Sequence, residues 1–344
     1  NQPESIFSSI LNSCERFCLM NKFKSFLAPQ LQQYDIYRHN LGYSMKASLS
    51  HLKTFDRYLL QKQAAHVLLQ PSFFIQMQAD LKTEARSINR IVASVRVFFN
   101  YLVRIGEYRL NPLADIPYLP ENDIMPYIFS PQQVNLLLSA VSGRIRNRSR
   151  YLYLKDLSGY MAMVLLARCG LRIGEPLRLK LNHYRFDEKT IYIEKTKFKK
   201  DRLIPLPQAV AIDIENYLAV RQRLLADAGT PYLLTNSNAR ALNDNRVRTV
   251  FHRAVSDIGL EQTRQIIGNV NISSPTPHSL RHSFAINTLN TVKKRSGSAQ
   301  NALPVLAAFM GHSEYKHTLK YLKFIDAKQR LQLANFIDTH RHQK

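Results

Sequence analysis

The chain has 344 residues, 45% of them hydrophobic, so it is long enough for two domains with their own cores and too apolar to be disordered. Its 48 Lys and Arg against 25 Asp and Glu give a formal charge of +23, which favours a polyanionic partner such as nucleic acid, although a merely basic protein also fits. No apolar run approaches the roughly 18 residues of a membrane span, and no secretory signal or basic membrane-surface helix stands out, which predicts a cytoplasmic protein without membrane contact.

The N-terminal third predicts a small all-helical domain. Apolar residues recur every three or four positions in several segments, namely 1–28, 44–61, 71–81 and 84–105. Ser44 is the predicted cap of the second segment, and Gly106 ends the last. The last helix should bury Ile88 to Ile105 on one face and carry arginines on the other: Arg86, Arg90, Arg96 and Arg104.

Proline then divides the chain. Residues 111–127 contain four prolines, a density that blocks both helices and central strands, so we place the domain boundary there. A new helix should begin with Ser130 as N-cap, Pro131 at its first position and Gln133 as the reciprocal cap. Beyond it the pattern predicts a mostly helical domain, with helices over 153–168, 208–226 and 326–338 and a β-hairpin over 190–207.

The odd number of cysteines predicts neither disulfides nor a metal site. Cys14, Cys18 and Cys169 provide no disulfide framework, which fits a reducing cytosol. Cys14 and Cys18 have no second pair of ligands nearby, so one face of a helix explains them better than metal binding does.

Four polar stretches carry the chemistry that the sequence predicts. They are CGLRIGEPLRL (169–179), KTKFKKDRLIPLP (195–207), PHSLRHSFA (277–285) and MGHSEYKHTLKYLKF (310–324). Together they supply arginines for a phosphate group, proton donors and a tyrosine phenol. Cleavage of a phosphodiester by a hydroxyl needs charge neutralisation, a proton for the leaving oxygen and an in-line nucleophile. The set therefore suits DNA strand transfer through a phosphotyrosine.

Each stretch also has a simpler structural explanation. His278 and Arg281 share the predicted first helical turn, where the dipole favours an anion, but an ordinary basic surface helix has the same pattern. Arg172 and Glu175 equally fit a helix C-cap followed by a salt bridge. Most lysines in a basic hairpin turn are solvated or touch phosphates, and one at most would be a proton donor.

In order and spacing, the four stretches closely resemble the tyrosine recombinase family, which is phage-integrase-like and includes Xer-like members. The resemblance covers roughly residues 30–335, and SINRIVASVRVFFNYLVRIGEYRLNPL is similar to the family's helical core-binding domain. It implies a mainly α fold with a small β-hairpin or sheet in the catalytic domain, and two domains that form a C-shaped clamp. These would be a SAM-like DNA-binding domain (1–115), a Pro-rich linker (116–127) and a catalytic domain (128–344) whose last helix docks into a neighbouring protomer.

The resemblance assigns roles to the arginines and histidines. Arg172 resembles the first catalytic arginine, and Glu175 the acidic residue that supports it. His278 and Arg281 match the family's H-x-x-R box, and His312 matches its Gly-His box. These four basic residues would hold the scissile phosphate and handle protons.

The remaining catalytic residues are a lysine and a tyrosine. The family's pattern puts the lysine five residues before the arginine of K-x-R-x-x-P, which gives Lys197 ahead of Arg202, with Lys195 as the fallback. Composition alone does not choose among 17 tyrosines, but the family's register selects Tyr321, nine residues after the Gly-His box, and not Tyr315. Further basic residues are expected to contact DNA: Arg86, Arg90, Arg96, Lys199, Lys200 and Arg202.

The resemblance implies site-specific recombination of DNA without a metal ion, ATP or any other cofactor. The tyrosine would form a 3′-phosphotyrosine link, and a free 5′-hydroxyl would then reseal the strand. A monomer or dimer would occupy each double-stranded site, and a homotetramer would join two sites through a Holliday junction, with DNA-bending accessory proteins as further partners. The expected location is the cytoplasm, in association with the nucleoid.

Two other functions fit part of the pattern. A type IB topoisomerase shares the Arg-Lys-Arg-His-Tyr chemistry, although the helical N-terminal domain and short linker favour a recombinase. An inactive DNA-binding accessory protein is the other alternative, and the intact catalytic set argues against it. Two basic segments, 142–159 and 290–304, are longer than expected of a compact family member. Contact with DNA and an ordinary surface loop explain each of them equally well. The absence of an arm-binding domain favours a simple transposon, integron or chromosome-resolution type.

Overall fold

The computed structural model describes residues 23–64, 68–194, 201–225, 229–236, 239–295, 297–312, 318–319 and 321–322. The chain divides into two compact units, Asn1–Asp123 and Ile124–Lys344. Within the described ranges, no helix combines the length and apolar character needed to cross a membrane.

The first unit is a bundle of helices around an aromatic core. Its described helices are α1 (Ala28–Asn40), α2 (Lys46–Gln61), α3 (Pro71–Asp80) and α4 (Ala85–Arg104). Phe55, Phe74, Phe98 and Phe99 are fully buried, and their rings pack edge-on or stacked on one another. Aromatic pairs of this kind add to the free energy gained from burial of their area. The core therefore lies where α2, α3 and α4 meet.

The helices predicted over 44–61, 71–81 and 84–105 are present, with differences at their ends. The first of these begins at Lys46 after Met45, without a side-chain cap, so the prediction that Ser44 caps it is wrong. Ile105 follows the end of α4 and is exposed, unlike the rest of the predicted apolar stripe. Helix α1 was not predicted, because its weak amphipathic pattern gives little periodic signal. The helix predicted within 1–28 falls almost entirely outside the described residues.

The proline-rich segment after α4 is fastened to that helix. Arg96 donates hydrogen bonds to the carbonyl oxygens of Leu113 (2.9 Å) and Ile116 (2.6 Å) and to the Tyr118 hydroxyl (2.9 Å). Asn89 exchanges two bonds with the backbone of Leu119. Because prolines remove backbone donors, side chains of α4 satisfy the backbone carbonyls of this segment instead.

This arrangement changes the interpretation of two arginines that were expected to contact DNA. The Arg96 guanidinium is occupied by the proline-rich segment and also lies over the Tyr118 ring. Arg86 binds Glu121 at 2.7 Å. Arg90 is exposed on the same helix. In the described contacts, no carboxylate binds Arg90. Of these three arginines, Arg90 is therefore the one whose charge is most available to DNA.

The second unit is mainly helical, with two small sheets. Its described helices are α5 (Pro131–Gly143), α6 (Arg150–Cys169), α7 (Gln208–Leu224), α8 (Asp244–Asp257), α9 (Pro277–Lys294) and α10 (Ala299–Met310), with short 3-10 turns at Pro176–Arg178 and Leu181–His183. The predicted start of α5 is confirmed, since the Ser130 hydroxyl accepts from the Gln133 N–H and the Gln133 side chain accepts from the Ser130 N–H. Helix α6 is buried over most of its length and forms the centre of this unit.

The strands form two three-stranded sheets. One has the order β2 (Tyr184–Arg185), β3 (Thr190–Ile193) and β4 (Arg202–Pro205), and the β3–β4 pair confirms the predicted hairpin. The other has the order β1 (Asp123–Met125), β6 (Val270–Ile272) and β5 (Gln265–Ile267) and was not predicted, because three-residue strands leave almost no alternation to detect. The β2–β3, β3–β4 and β5–β6 pairs are antiparallel.

The segment 142–159 is not a surface insertion over its whole length. Residues from Arg150 onward belong to α6, and a loop occupies the residues between α5 and α6. Asp156 is buried and binds Arg146 at 2.7 Å and also Arg246 of α8. One basic residue of the segment, Arg146, thus helps to neutralise a carboxylate inside this unit, which explains part of the segment's basic composition without DNA. The helix predicted over 326–338 lies outside the described residues.

Candidate active site

Four parts of the second unit converge on one site: the turn after α6, the start of β4, the first turns of α9 and the end of α10. Arg172 lies in the turn and is a quarter exposed. Its guanidinium donates to Glu175 at 3.0 Å and to the Gly311 carbonyl at 2.7 Å. The Arg172 backbone N–H donates to the same carboxylate. The arginine is held in one orientation with part of its fork still open to solvent.

Glu175 is the buried anion at the base of the site. The residue is 3% exposed, and it binds Arg202 through two bonds of 3.0 and 2.9 Å as well as Arg172. Burial alone would raise the pKa of Glu175, but the hydrogen bonds and charge of Arg202, the Arg172 backbone N–H and the charge of Arg281 lower it. The carboxylate is therefore ionised at neutral pH and holds two guanidinium groups in place.

Arg202 has a different environment from the one expected of a DNA contact. Its side chain is 9% exposed, with the Glu175 carboxylate on one side and the Phe309 carbonyl at 2.9 Å from Nε. A buried bidentate pair of this kind would leave an uncompensated charge if either partner were removed. The structure thus places Arg202 in the interior of the site, with its guanidinium bound to Glu175 and to the end of α10.

Three guanidinium groups hold the last turn of α10. The carbonyl oxygens of Phe309, Met310 and Gly311 accept from Arg202, Arg281 and Arg172 respectively. These are the backbone acceptors that a helix leaves unpaired at its C-terminus, where the dipole also favours positive charge. The segment that leads to His312 is therefore positioned by the same arginines that line the site.

Two glycines allow this close packing. Gly170 and Gly311 have φ values of +59° and +64°, which L side chains rarely adopt. A Cβ atom at Gly170 would lie 2.4 Å from the Phe284 ring, and one at Gly311 would lie 2.9 Å from the Arg202 guanidinium. A side chain at Gly170 would push the turn away from α9, and one at Gly311 would displace the Arg202 guanidinium from the end of α10.

Arg281 and His278 occupy different depths on α9. Arg281 is 1% exposed and donates to the Gly170 carbonyl at 2.6 Å. Burial and the neighbouring charge of Arg172 lower the pKa of Arg281 to about 9, which still leaves it charged at neutral pH. His278 keeps part of its surface open to solvent. Desolvation and the charges of Arg281 and Arg172 lower the pKa of His278 to about 4, so its imidazole is neutral.

Tyr321 lies among histidines. The residue is 5% exposed, and its hydroxyl is 3.0 Å from Nδ1 of His282. The His312 ring is stacked at 6.2 Å from the phenol, and its Nδ1 is 2.8 Å from the hydroxyl of the fully buried Thr318. Desolvation raises the pKa of Tyr321 to about 12, although the charges of Arg281 and Arg172 act to lower it.

The structure thus brings together Arg172, Glu175, His278, Arg281, His312 and Tyr321. Sequence reasoning missed His282, although its position four residues after His278, on the same helical face, was a signal that could have identified it. Lys197, Lys199, Lys200 and the fallback Lys195 lie outside the described residues, as does Tyr315. The two strands of that hairpin are described on either side of these lysines. Ile193 of β3 pairs with Arg202 of β4, and the Arg202 side chain binds Glu175.

The chemistry of the site follows from these positions. A phenol, the neutral imidazole of His278 and a set of positive charges over one buried carboxylate can bind a phosphate oxygen and place an oxygen nucleophile beside it. The charge excess favours an anionic substrate, and the exposed part of Arg172 with the neutral His278 provides donors for one.

Comparisons with known proteins give consistent matches. The model of the phage integrase family matches residues 128–328. A putative integrase/recombinase, y4rB of Sinorhizobium fredii, is 28% identical over 85% of this chain and 91% of its own length. Tyrosine recombinase XerC of Alcanivorax borkumensis is 29% identical over 69% of this chain and 68% of its own.

Solved structures share the fold. A lambda integrase tetramer bound to a Holliday junction matches 91% of this chain and 88% of its own at a TM-score of 0.61 and 16% identity. A XerH site-specific recombinase bound to palindromic difH in a post-cleavage complex matches 85% of this chain and 78% of its own, at a TM-score of 0.62 and 18% identity.

Proposed function

The chain belongs to the phage integrase family and is a site-specific tyrosine recombinase that acts on DNA, and from this premise we propose that Tyr321 is the nucleophile that forms a 3′-phosphotyrosine link. The observation that carries the proposal is the position of the Tyr321 phenol, buried among histidines and within reach of the Arg172 and Arg281 charges. Tyrosine is a weak nucleophile at its ordinary pKa, so a surrounding cationic and imidazole set is what its activation requires.

The proposed reaction uses the groups of the site in sequence. Arg172 and His278 donate to the non-bridging oxygens of the scissile phosphate, and the buried Arg281 adds positive charge beneath them. The Tyr321 oxygen attacks phosphorus as the bond to the 5′-oxygen breaks, and Lys197 supplies the proton for that oxygen. Attack by a partner strand's 5′-hydroxyl reverses these steps and releases the tyrosine. The energy of the broken bond is kept in the phosphotyrosine link.

The proposed assembly is a tetramer on two duplex sites. The lambda integrase structure with a Holliday junction supports this, as does the shared fold. Residues 1–115 would be the core-binding domain, 116–127 the linker and 128–344 the catalytic domain, and docking of the last helix into a neighbouring protomer would join the subunits. Action on DNA would bring the protein to the nucleoid in the cytoplasm, and accessory DNA-bending proteins would be additional partners.

A plasmid assay separates recombination from relaxation of supercoils. Two copies of a duplex from the DNA that flanks the protein's own gene are placed on one supercoiled plasmid. We expect deletion or inversion products from this plasmid and no change in topology of a plasmid without the copies. Relaxation of the plasmid that lacks the copies would contradict the proposal and favour type IB topoisomerase activity.

Two arginines of one helix provide a test of the DNA-binding surface. Arg90→Ala should lower DNA affinity and reduce the slope of log K against log salt by about 1, because a single exposed phosphate contact is lost. Arg96→Ala should leave that slope unchanged and destabilise the first unit by about 1–3 kcal/mol, because three acceptors of the proline-rich segment lose their donor.

The two variants are each other's control, since they remove the same charge from α4. DNA binding by fluorescence anisotropy at several salt concentrations gives the slope, and urea unfolding followed by circular dichroism gives the stability. A decrease of the slope in Arg96→Ala, with the stability of the first unit unchanged, would contradict the structural role of Arg96. It would show instead that Arg96 contacts a phosphate.

A further inference from the structure

The hydroxyl of Tyr321 has one described hydrogen-bond partner, and it is an imidazole nitrogen. Nδ1 of His282 lies 3.0 Å from the phenolic oxygen, and the two ring planes meet at 61° with centroids 5.7 Å apart. His282 follows Arg281 on α9, a helix held in place by the Arg281 bond to the Gly170 carbonyl. The imidazole is thus fixed against the phenol by a rigid element and not by a surface loop.

The other two imidazoles of the site have different relations to the phenol. His312 stacks on the Tyr321 ring, and its Nδ1 is 2.8 Å from the buried Thr318 hydroxyl. His278 packs edge-on against His282, with ring centroids 4.6 Å apart. In the described contacts, therefore, His282 is the histidine whose ring nitrogen is within hydrogen-bond reach of the nucleophile's oxygen.

A phenol in this position needs a proton acceptor. Desolvation raises the pKa of Tyr321 to about 12, so only about one phenol in 10⁵ is ionised at neutral pH. A positioned base that removes the proton as the oxygen attacks contributes about 10²–10⁴ in rate. Among the residues that the structure describes, the titratable and charged groups around the pair are His278 on α9, His312 after α10, and Arg172 and Arg281, whose charges reach the phenol.

We propose that His282 is a catalytic residue, the general base that accepts the Tyr321 proton during cleavage and returns it during resealing. This assignment rests on the proposed role of Tyr321 as nucleophile. In cleavage the Oη–H proton moves to Nδ1 of His282 while Oη bonds to phosphorus, the bond from phosphorus to the 5′-oxygen breaks, and Lys197 gives that oxygen its proton. In resealing the 5′-hydroxyl returns its proton to Lys197 as its oxygen bonds to phosphorus, the Oη–phosphorus bond breaks, and the imidazolium gives its proton back to Oη.

The assignment fixes a tautomer. Nδ1 must carry the lone pair that accepts from the phenol, so the proton of the neutral ring is on Nε2. This feature distinguishes a base from a residue that merely positions the phenol by donating to it through Nδ1–H.

The first test is the pH dependence of cleavage with His282→Asn. The asparagine side chain can hydrogen bond to the phenol in the place of Nδ1 but cannot take its proton. Single-turnover cleavage is measured between about pH 5.5 and 9.5 on the nicked flanking duplex that forms a covalent adduct with the wild type. His252→Asn, on the exposed side of α8, is the matched control and should behave as the wild type.

We expect the wild-type rate to reach a plateau within this range, because a residue of the site and not hydroxide takes the proton of the phenol. His282→Asn should be slower by about 10²–10⁴ at pH 7 and should rise about tenfold per pH unit to the end of the range, because hydroxide must then remove the phenol's proton. A plateau retained in His282→Asn, with a loss of less than about threefold, would overturn the proposal.

A second arm separates the base from the acid that serves the leaving group. With sulfur in place of the 5′-bridging oxygen, the departing thiolate needs no proton. Lys197→Ala should recover activity on this substrate, whereas His282→Asn should remain slow. Recovery of His282→Asn would show that His282 serves the leaving group instead and would overturn the assignment.

A third arm needs no DNA. Nitrogen-15 NMR of the histidines in the wild type, assigned by comparison with His282→Asn, reports the tautomer at neutral pH. A proton on Nε2 supports the proposal, and a proton on Nδ1 overturns it. Because this measurement uses the free protein, it gives an answer even if no duplex forms an adduct. Absence of an adduct on every duplex would count against the proposed function of Tyr321 and not against the geometry of His282.

Discussion

Replacement of Tyr321 with phenylalanine is expected to abolish the SDS-resistant protein–DNA adduct while DNA binding is retained. The substitution removes one oxygen and keeps the ring, which is 5% exposed and packs against His282 and His312. One hydrogen bond is lost, to His282, so the stability of the unit should change by only about 1 kcal/mol. The cleavage rate should fall by more than about 10⁴, the scale seen when a covalent nucleophile is removed.

The experiment uses nicked duplexes from the DNA that flanks the protein's own gene. Adducts are trapped with SDS and resolved on a gel, and binding is measured in parallel by fluorescence anisotropy. Tyr192→Phe is a matched control, because it also removes a phenolic hydroxyl from a hydrogen bond in the second unit, to Asp201. An adduct that persists in Tyr321→Phe at the level of the control would show that the nucleophile is another residue.

Loss of Arg172 should have the second largest effect. Arg172→Ala is expected to slow cleavage by about 10²–10³, the cost of removing one preorganised donor to a developing anion. Glu175 keeps its two bonds to Arg202 in this variant, so the fold of the site should survive. Arg172→Lys should recover part of the rate, because it restores the charge but not the planar fork that binds two oxygens at once.

Arg178→Ala is the control for this prediction, since Arg178 lies in the same stretch of chain and is exposed. Single-turnover cleavage and DNA affinity are compared for the three variants. A loss of the same size in Arg172→Ala and Arg178→Ala, accompanied by equal losses of affinity, would mean that Arg172 acts only through general charge and not as a donor to the reacting phosphate.

The sequence predicted the family and fold class correctly, because the spacing of four polar stretches is specific. The mainly helical fold with small sheets is confirmed by the structure and by the solved structures that share it. The catalytic roles of the six residues selected by this resemblance remain predictions. Their convergence in one site agrees with those predictions, although contact geometry by itself assigns no step of a reaction.

The partners of several arginines could not be predicted, because they depend on which chain segments meet in three dimensions. Arg202 looked like one more basic residue of a hairpin, yet Glu175, 27 residues earlier in sequence, binds it. Arg96 looked like part of a basic surface, but its donors hold the backbone of the proline-rich segment. From sequence alone, a charged residue on a helical face is predicted to be exposed to solvent, because the chain segment that packs against it is not known.

The role of the C-terminal end of α10 could not be predicted from the sequence either. Gly311 and His312 were identified as a motif, but nothing in their spacing shows that Arg172, Arg202 and Arg281 bind the last carbonyls of the helix. This arrangement makes the positions of the guanidinium groups and of the following segment depend on each other. It explains physically why the Gly-His stretch and the arginines occur together in one site.

Identification of the residue that becomes linked to DNA tests the central claim most directly. The trapped adduct is digested with nuclease and protease, and the peptide that carries a nucleotide is sequenced by mass spectrometry. The account predicts a nucleotide joined through its 3′-phosphate to the oxygen of Tyr321. A nucleotide on any other residue, Tyr315 included, or one joined through a 5′-phosphate, would contradict it.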